Sequence, residues 1–175
     1  MSDNEKPGTV LVAIDGSRNS MLAAGVGARM ARLLNAHLGL FHVLGLPEQS
    51  FWSGVEARMK DEIRAEAERK LSEISEKMHS VCDILPEFYI VEGLPDEEIP
   101  KVVAEDESII MVIAGRQGVG SDKHSHLRLR KATGRVTSKL TELLRVPLLV
   151  VPTDVPLSHI CPAMAEMDAQ SHSSS

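Results

Sequence analysis

The sequence predicts an α/β fold: a five-stranded parallel sheet with helices on both faces, an open α/β sandwich. Three observations predict it. Short, continuous runs of branched apolar residues suit strands covered on both faces, as in a parallel sheet. Between them lie longer segments whose apolar residues recur at helical spacing. Strand and helix signals alternate along the whole chain, and right-handed crossovers then place helices on both sides of one sheet. Of the 175 residues, 43% are hydrophobic and only 3% aromatic, so aliphatic side chains must build the core.

Residues 9–14 (Thr9, Val10, Leu11, Val12, Ala13, Ile14) form the first such run. It ends at Asp15, Gly16 and Ser17, where a turn and a helix start coincide. Leu22, Val26, Met30 and Leu33 then recur at helical spacing over 18–34. Residues 36–44 read as the second strand and 45–53 as a loop. Residues 55–78 contain no Gly or Pro and read as a long charged helix with one apolar face: Met59, Ile63, Ala67, Leu71, Ile74 and Met78. Glu66 stands four residues before Lys70, a modest supporting pair, while Glu62 and Glu73 read as solvent-facing charges. Residues 84–91 alternate loosely and read as a third strand. Gly93 and Pro95, followed by Asp96, Glu97 and Glu98, mark a helix start, and that helix ends near Glu105. The fourth strand, 109–114, is the most hydrophobic. A loop over 115–130 and a helix over 133–145 follow. The fifth strand, 147–151, opens on Pro147, a position where proline is tolerated. The expected organisation is an N-terminal extension over 1–8, a folded domain over 9–152 and a polar tail over 153–175. The tail carries no Lys or Arg and is expected to be disordered.

Composition excludes several functions. The formal net charge of −6 opposes general DNA or RNA binding, and scarce aromatic rings oppose single-strand stacking. No run approaches the ~18 apolar residues of a membrane span, and the first residues lack a secretory signal pattern. Cys82 and Cys161 stand alone in unlike contexts, as idle or buried thiols in a reducing compartment. The expectation is a cytoplasmic protein with no nucleic-acid or membrane partner.

Ligands of open α/β sheets bind beyond the carboxyl ends of the strands. Three strand ends here are polar or glycine-rich: Asp15-Gly16-Ser17, His42-Val43-Leu44, and the segment from Gly115 through Gly118 and Gly120 to Ser121. Glycines let backbone N–H groups approach an anion, and a following helix N-terminus adds a favourable field. The spacing is neither the P-loop nor the dinucleotide pattern, so a plain loop and a phosphate cradle both fit it. Residues 116–139 hold seven Lys or Arg (Arg116, Lys123, Arg128, Arg130, Lys131, Arg135, Lys139) against one acid, Asp122. Such an excess steers anions, although Lys131, Arg135 and Lys139 recur every four residues, as a solvated helix face does. His124 and His126 beside Asp122 read as exposed loop residues, with Lys123 repelling a cation. His42 reads as a packed strand-end histidine.

On these residues the chain resembles the universal stress protein family over roughly 9–152. The resemblance rests on Asp15 after the first strand, on His42-Val43 ending the second, on Gly115-Arg116-Gln117-Gly118, and on the closing segment from Gly134 to Pro152. It implies a nucleotide-binding site made of Asp15 and Val43 on the adenosine part and of Gly115, Gly118, Gly134 and Arg135 around the phosphates. Two departures stand out. Fifteen residues separate Gly118 from Gly134, where the family motif has nine. Arg135 occupies the place of a Ser or Thr, and its fork can itself hold phosphate. The implied function is stress response or signalling through ATP or another adenine nucleotide, with Mg²⁺ accompanying ATP, no catalytic residue, and weak hydrolysis at most. The alternative is a nucleotide-free dimeric interaction protein acting through its basic insertion. Both include a homodimer formed through the fifth strand (Pro147, Leu148, Leu149, Val150, Val151), whose bare apolar edge would invite aggregation and which a two-fold axis would pair isologously.

Overall fold

The computed structural model describes residues 7–45, 53–116, 133–156 and 158. Five strands and four helices alternate: β1 (Thr9–Ala13), α1 (Arg18–Leu33), β2 (His37–Leu44), α2 (Ser53–Cys82), β3 (Glu87–Glu92), α3 (Pro95–Glu105), β4 (Ile109–Gly115), α4 (Thr133–Leu143) and β5 (Leu148–Val151). The strands form one sheet in the order β3-β2-β1-β4-β5, and every neighbouring pair is parallel. The expected α/β sandwich is the fold observed.

Alternation along β1 explains the two layers. Val10 and Val12 point into one core with Leu38, Leu40 and Ile113, against Leu22 and Ala28 of α1 and Leu71, Ile74 and Met78 of α2. Leu11 points the other way, into a second core with Phe41, Val43 and Val112, closed by Ile99 of α3 and Leu140 of α4. A strand buried on both faces reads as a continuous apolar run, which is how β1 looked in the sequence.

The structure revises several element readings. In α1 the buried stripe is Leu22 followed by small residues (Ala23, Ala24, Gly27, Ala28, Ala31), while Leu33 is 70% exposed. The helix rides low on the sheet: a Cβ on Gly27 would lie 2.3 Å from Val12 Cγ2. Around Gly27, large side chains therefore belong at the flanks. The helix stops without a glycine. Asn35 takes a left-handed φ of 51°, its N–H donates to Arg32 O, and that of Ala36 donates to Ala31 O, the hydrogen-bond pattern of a left-handed C-terminal stop. Helix α2 outruns its expected span at both ends, and its core-facing stripe begins only at Ala67, so Met59 is 42% exposed. Strand β3 starts at Glu87, three residues later than expected, because the preceding Pro86 has no N–H to give the ladder. Helix α4 ends at Leu143, and β5 begins at Leu148, although the Pro147 carbonyl accepts from Val112 N–H at 2.9 Å.

At the amino ends of the strands a polar network ties the layers together. Tyr89 Oη donates to Asp106 Oδ2 at 2.9 Å, Ser108 N–H donates to Asp106 Oδ1 at 3.0 Å, and the Ser108 and Thr9 hydroxyls lie 3.1 Å apart. Gly39 makes room for the Tyr89 ring, which a Cβ there would meet at 2.9 Å. Burial, reinforced by the Asp106 carboxylate, pushes the Tyr89 phenol up to about 12. Asp106 is held below the usual carboxylate range by its Ser108 hydrogen bonds, with Tyr89 contributing. On the exposed face of α2, Arg69 bridges Glu66 and Glu73, and Lys70 reaches Glu66 at 3.3 Å.

Candidate functional site

Strand order decides where a site can form. The chain leaves β1 into α1, on one face of the sheet, while β4, its neighbour, leads on to α4, on the other face. Connections that diverge to opposite faces leave a crevice beyond the carboxyl ends of the two strands. A pocket occupies that position. Its lining comes from the end of β1 (Ala13, Ile14, Asp15), the start of α1 (Ser17, Ser20), the end of β2 (Phe41, His42, Val43) and the end of β4 (Ala114, Gly115). Pro95 and Ile99 of α3 and Val136 and Leu140 of α4 complete it. The interior is apolar, with polar groups confined to the β1–α1 turn and the end of β2.

The β1–α1 turn is built by local hydrogen bonds. Asp15 is exposed, and its Oδ1 accepts from Ser17 N–H at 2.9 Å. Gly16 between them has a φ of +80°, a conformation that favours glycine. Ser17 caps α1: its Oγ accepts from Ser20 N–H at 3.2 Å, and Ser20 Oγ donates to Ser17 O at 2.8 Å. Neither α1 nor α4 has an acid in its first turn, so the partial positive charge at these helix starts is not cancelled from within. By contrast, α3 carries Asp96, Glu97 and Glu98 there.

The end of β2 supplies backbone. The last β1–β2 pair is Ala13 with Phe41, whereas β2 stays paired with β3 as far as Leu44 with Glu92. Phe41 O accepts from Ile14 N–H at 2.8 Å. Bond directions alternate along a strand, so the N–H and C=O of Val43 point to the same side, beyond the place where β1 has ended. His42 fastens this overhang: its Nδ1 lies 2.7 Å from Ile14 O. A carbonyl only accepts, so Nδ1 carries the proton and Nε2 is the acceptor in the neutral ring. The expected packed strand-end histidine is what the structure contains.

The end of β4 is held from two sides. Arg116 N–H donates to Val151 O of β5 at 2.7 Å, and Asn19 Nδ2 of α1 donates to Arg116 O. Asn19 is only 8% exposed, and its Oδ1 has no hydrogen-bond partner among the described residues. Gly115 sits against the same residue, and a Cβ there would lie 2.8 Å from Asn19 O.

Asp15, Val43 and Gly115, three of the residues singled out in the sequence, thus line one crevice. Gly134 and Arg135 fall in the first turn of α4, whose Val136 and Leu140 also line it. Gly118 lies outside the described residues, as do Lys123, Arg128, Arg130, Lys131, Asp122, His124, His126 and Cys161. Lys139 is not merely solvated: its Nζ lies 2.6 Å from Asp96 Oδ2 and links α4 to α3. Sequence reading placed Ser17 at the strand end without giving it a role and missed Ser20, which the capping pattern after Gly16 could have flagged. It also missed Asn19, whose burial nothing in the local sequence signals.

With this geometry established, the family follows from comparison. A family model described as "Universal stress protein family" matches residues 7–152. The chain belongs to the universal stress protein family. Solved structures agree at the level of fold. UspA from Lactobacillus plantarum superposes with a TM-score of 0.67 at 18% identity, covering 85% of this chain and 99% of that one. A universal stress protein in complex with cAMP gives 0.59 at 19% identity, covering 85% and 98%. A universal stress protein from Archaeoglobus fulgidus in complex with dAMP gives 0.59 at 17% identity, covering 83% and 98%. No curated protein matches the sequence. Among the described residues no helix is long and apolar enough to cross a membrane.

Proposed function

We propose that this universal stress protein binds an adenine nucleotide, ATP or a close relative, in the crevice between the carboxyl ends of β1 and β4, and acts in stress response or signalling through that occupancy. One observation carries the reading: an apolar slot lined by Ile14, Phe41, Val43, Ile99 and Leu140 opens beside the Asp15 carboxylate and the start of α1. An apolar slot with a few convergent polar groups suits a flat base joined to a polar sugar. The Val43 backbone offers a donor and an acceptor to the base edge, and Asp15 accepts from ribose hydroxyls. Gly115, Gly118, Gly134 and Arg135 surround the phosphates, aided by the acid-free first turn of α4. Two relatives of the same fold, crystallised with cAMP and dAMP, support the class of ligand. Mg²⁺ would arrive with ATP on its phosphates. Among the described residues no cluster of three or more potential metal ligands is gathered, and Asp15 is the acid that lines the crevice.

We propose further that the protein is a homodimer through β5. This strand is an edge of the sheet, and Leu149 and Val150, which point to opposite faces, are 37% and 36% exposed. An edge that no other strand pairs among the described residues and that is apolar on both faces fits pairing with its own copy.

Calorimetric titration with ATP and with adenosine tests the ligand. The reading expects both to bind, ATP more tightly, and the triple replacement of Arg128, Arg130 and Arg135 by Ala to weaken ATP more than adenosine. Absence of heat from both ligands at millimolar concentration would overturn it.

A further inference from the structure

We propose that Asn19 is a positioning residue for the phosphate side of the crevice: it fixes the point and direction in which the chain leaves β4. This deepens the nucleotide-binding reading and rests on it. Arg116 is the last described residue before α4 resumes at Thr133. Its N–H is tied to Val151 of β5 and its carbonyl to Asn19 Nδ2. The two bonds clamp one residue between an edge strand and the first turn of α1. That turn follows directly on Asp15 and includes Ser20, which lines the crevice.

Three features separate Asn19 from an ordinary helix residue. It is buried in the first turn of a helix, where Asn is commonly a surface or capping residue. Its backbone carbonyl packs so closely on Gly115 that a Cβ there would force one of the two to shift. Its Oδ1 is buried without a donor among the described residues, and buried amide oxygens in native proteins are paired in the great majority of cases. The amide therefore has one half committed to the end of β4 and one acceptor still to be satisfied at the same spot. Asn19 then couples the adenosine side of the site, through the Asp15–Ser17 turn, to the glycine side.

The test uses the full chain with Asn19→Ala, Asn19→Leu, which keeps the branched shape without the polar atoms, and Tyr89→Phe as a control at the opposite end of the sheet. In the free protein, the Arg116 N–H keeps its Val151 acceptor, but loss of the Asn19 bond to the Arg116 carbonyl is expected to ease opening of the strand end and quicken amide hydrogen exchange at Arg116 roughly tenfold in both Asn19 variants. Exchange at Val112 in mid-strand stays as in the wild type. In titration, ATP affinity falls about three- to tenfold in both Asn19 variants, adenosine affinity stays within about twofold, and Tyr89→Phe changes neither ratio. Unchanged Arg116 exchange, or an equal loss for ATP and adenosine, would overturn the role given to Asn19. Wild-type protein that binds neither ligand would instead remove the nucleotide reading, while the Arg116 exchange would still decide whether Asn19 holds the end of β4.

Discussion

Replacing Gly115 with Ala asks why a glycine ends β4. The motif resemblance gives a ligand-side reason, close backbone approach to phosphate. The structure gives a second one inside the fold. A Cβ at Gly115 would lie 2.8 Å from Asn19 O, 3.0 Å from its carbonyl carbon and 3.0 Å from its Nδ2. Carbon–oxygen contacts settle at ~3.3 Å or more, so α1 must retreat by roughly half an ångström from the strand. Two of the three atoms met are backbone, and they cannot rotate away as a side-chain tip would. Over-packing of this kind costs about 1–3 kcal/mol. In a chain of this size each kcal/mol lowers Tm by about 2–4 °C. Urea denaturation should show a lower midpoint with an unchanged slope, since the surface exposed on unfolding is the same. The loss should appear with no nucleotide present. A Gly115→Ala variant within ~0.5 kcal/mol of the wild type would refute the packing argument and leave phosphate approach as the reason for the glycine.

Two other predictions concern the sheet ends. Tyr89 is the only tyrosine in the chain, so tyrosinate absorbance reports it alone; it should titrate near 12 in the folded protein against ~10 when unfolded. A raised phenol pKa contributes stability that is whole below pH ~10 and is lost as pH climbs through about 12, so the alkaline fall in stability should lose this component in Tyr89→Phe. On β5, Leu149→Lys should halve the mass seen by light scattering without unfolding the protein, because Leu149 is already partly exposed; a wild-type monomer at micromolar concentration would refute the dimer.

The fold was legible because its central strands are apolar on both faces. Val10, Leu11 and Val12 cannot be assigned to one side, and such a run belongs in the middle of a covered parallel sheet. Helix α1 was less legible in detail. Periodicity weighted its large residues and pointed to Leu33, whereas close approach to Val12 selects Ala23, Gly27 and Ala31 for the buried stripe. Asn35 ends that helix in a left-handed conformation more often taken by glycine, so its stop carried no strong sequence mark. In the crevice, Asp15, Val43 and Gly115 stood out because each follows or ends a strand. Asn19 did not, since its partner is the Arg116 carbonyl, 97 positions away, and no local pattern encodes such a contact. The Lys139–Asp96 link was hidden for the same reason: each charge, taken alone, fits a solvated helix face.

The central claim is the place at which a nucleotide binds, and amide chemical shifts of labelled protein titrated with ATP test it most directly. The account predicts that the largest changes fall on the β1–α1 turn around Asp15 and Gly16, on Val43, on Gly115 and Arg116, and on the first turn of α4 at Gly134 and Arg135. Amides at the opposite end of the sheet, such as Tyr89 and Ser108, should stay still. Saturable shifts that cluster away from the carboxyl ends of β1, β2 and β4, or no shifts at millimolar ATP, would contradict it.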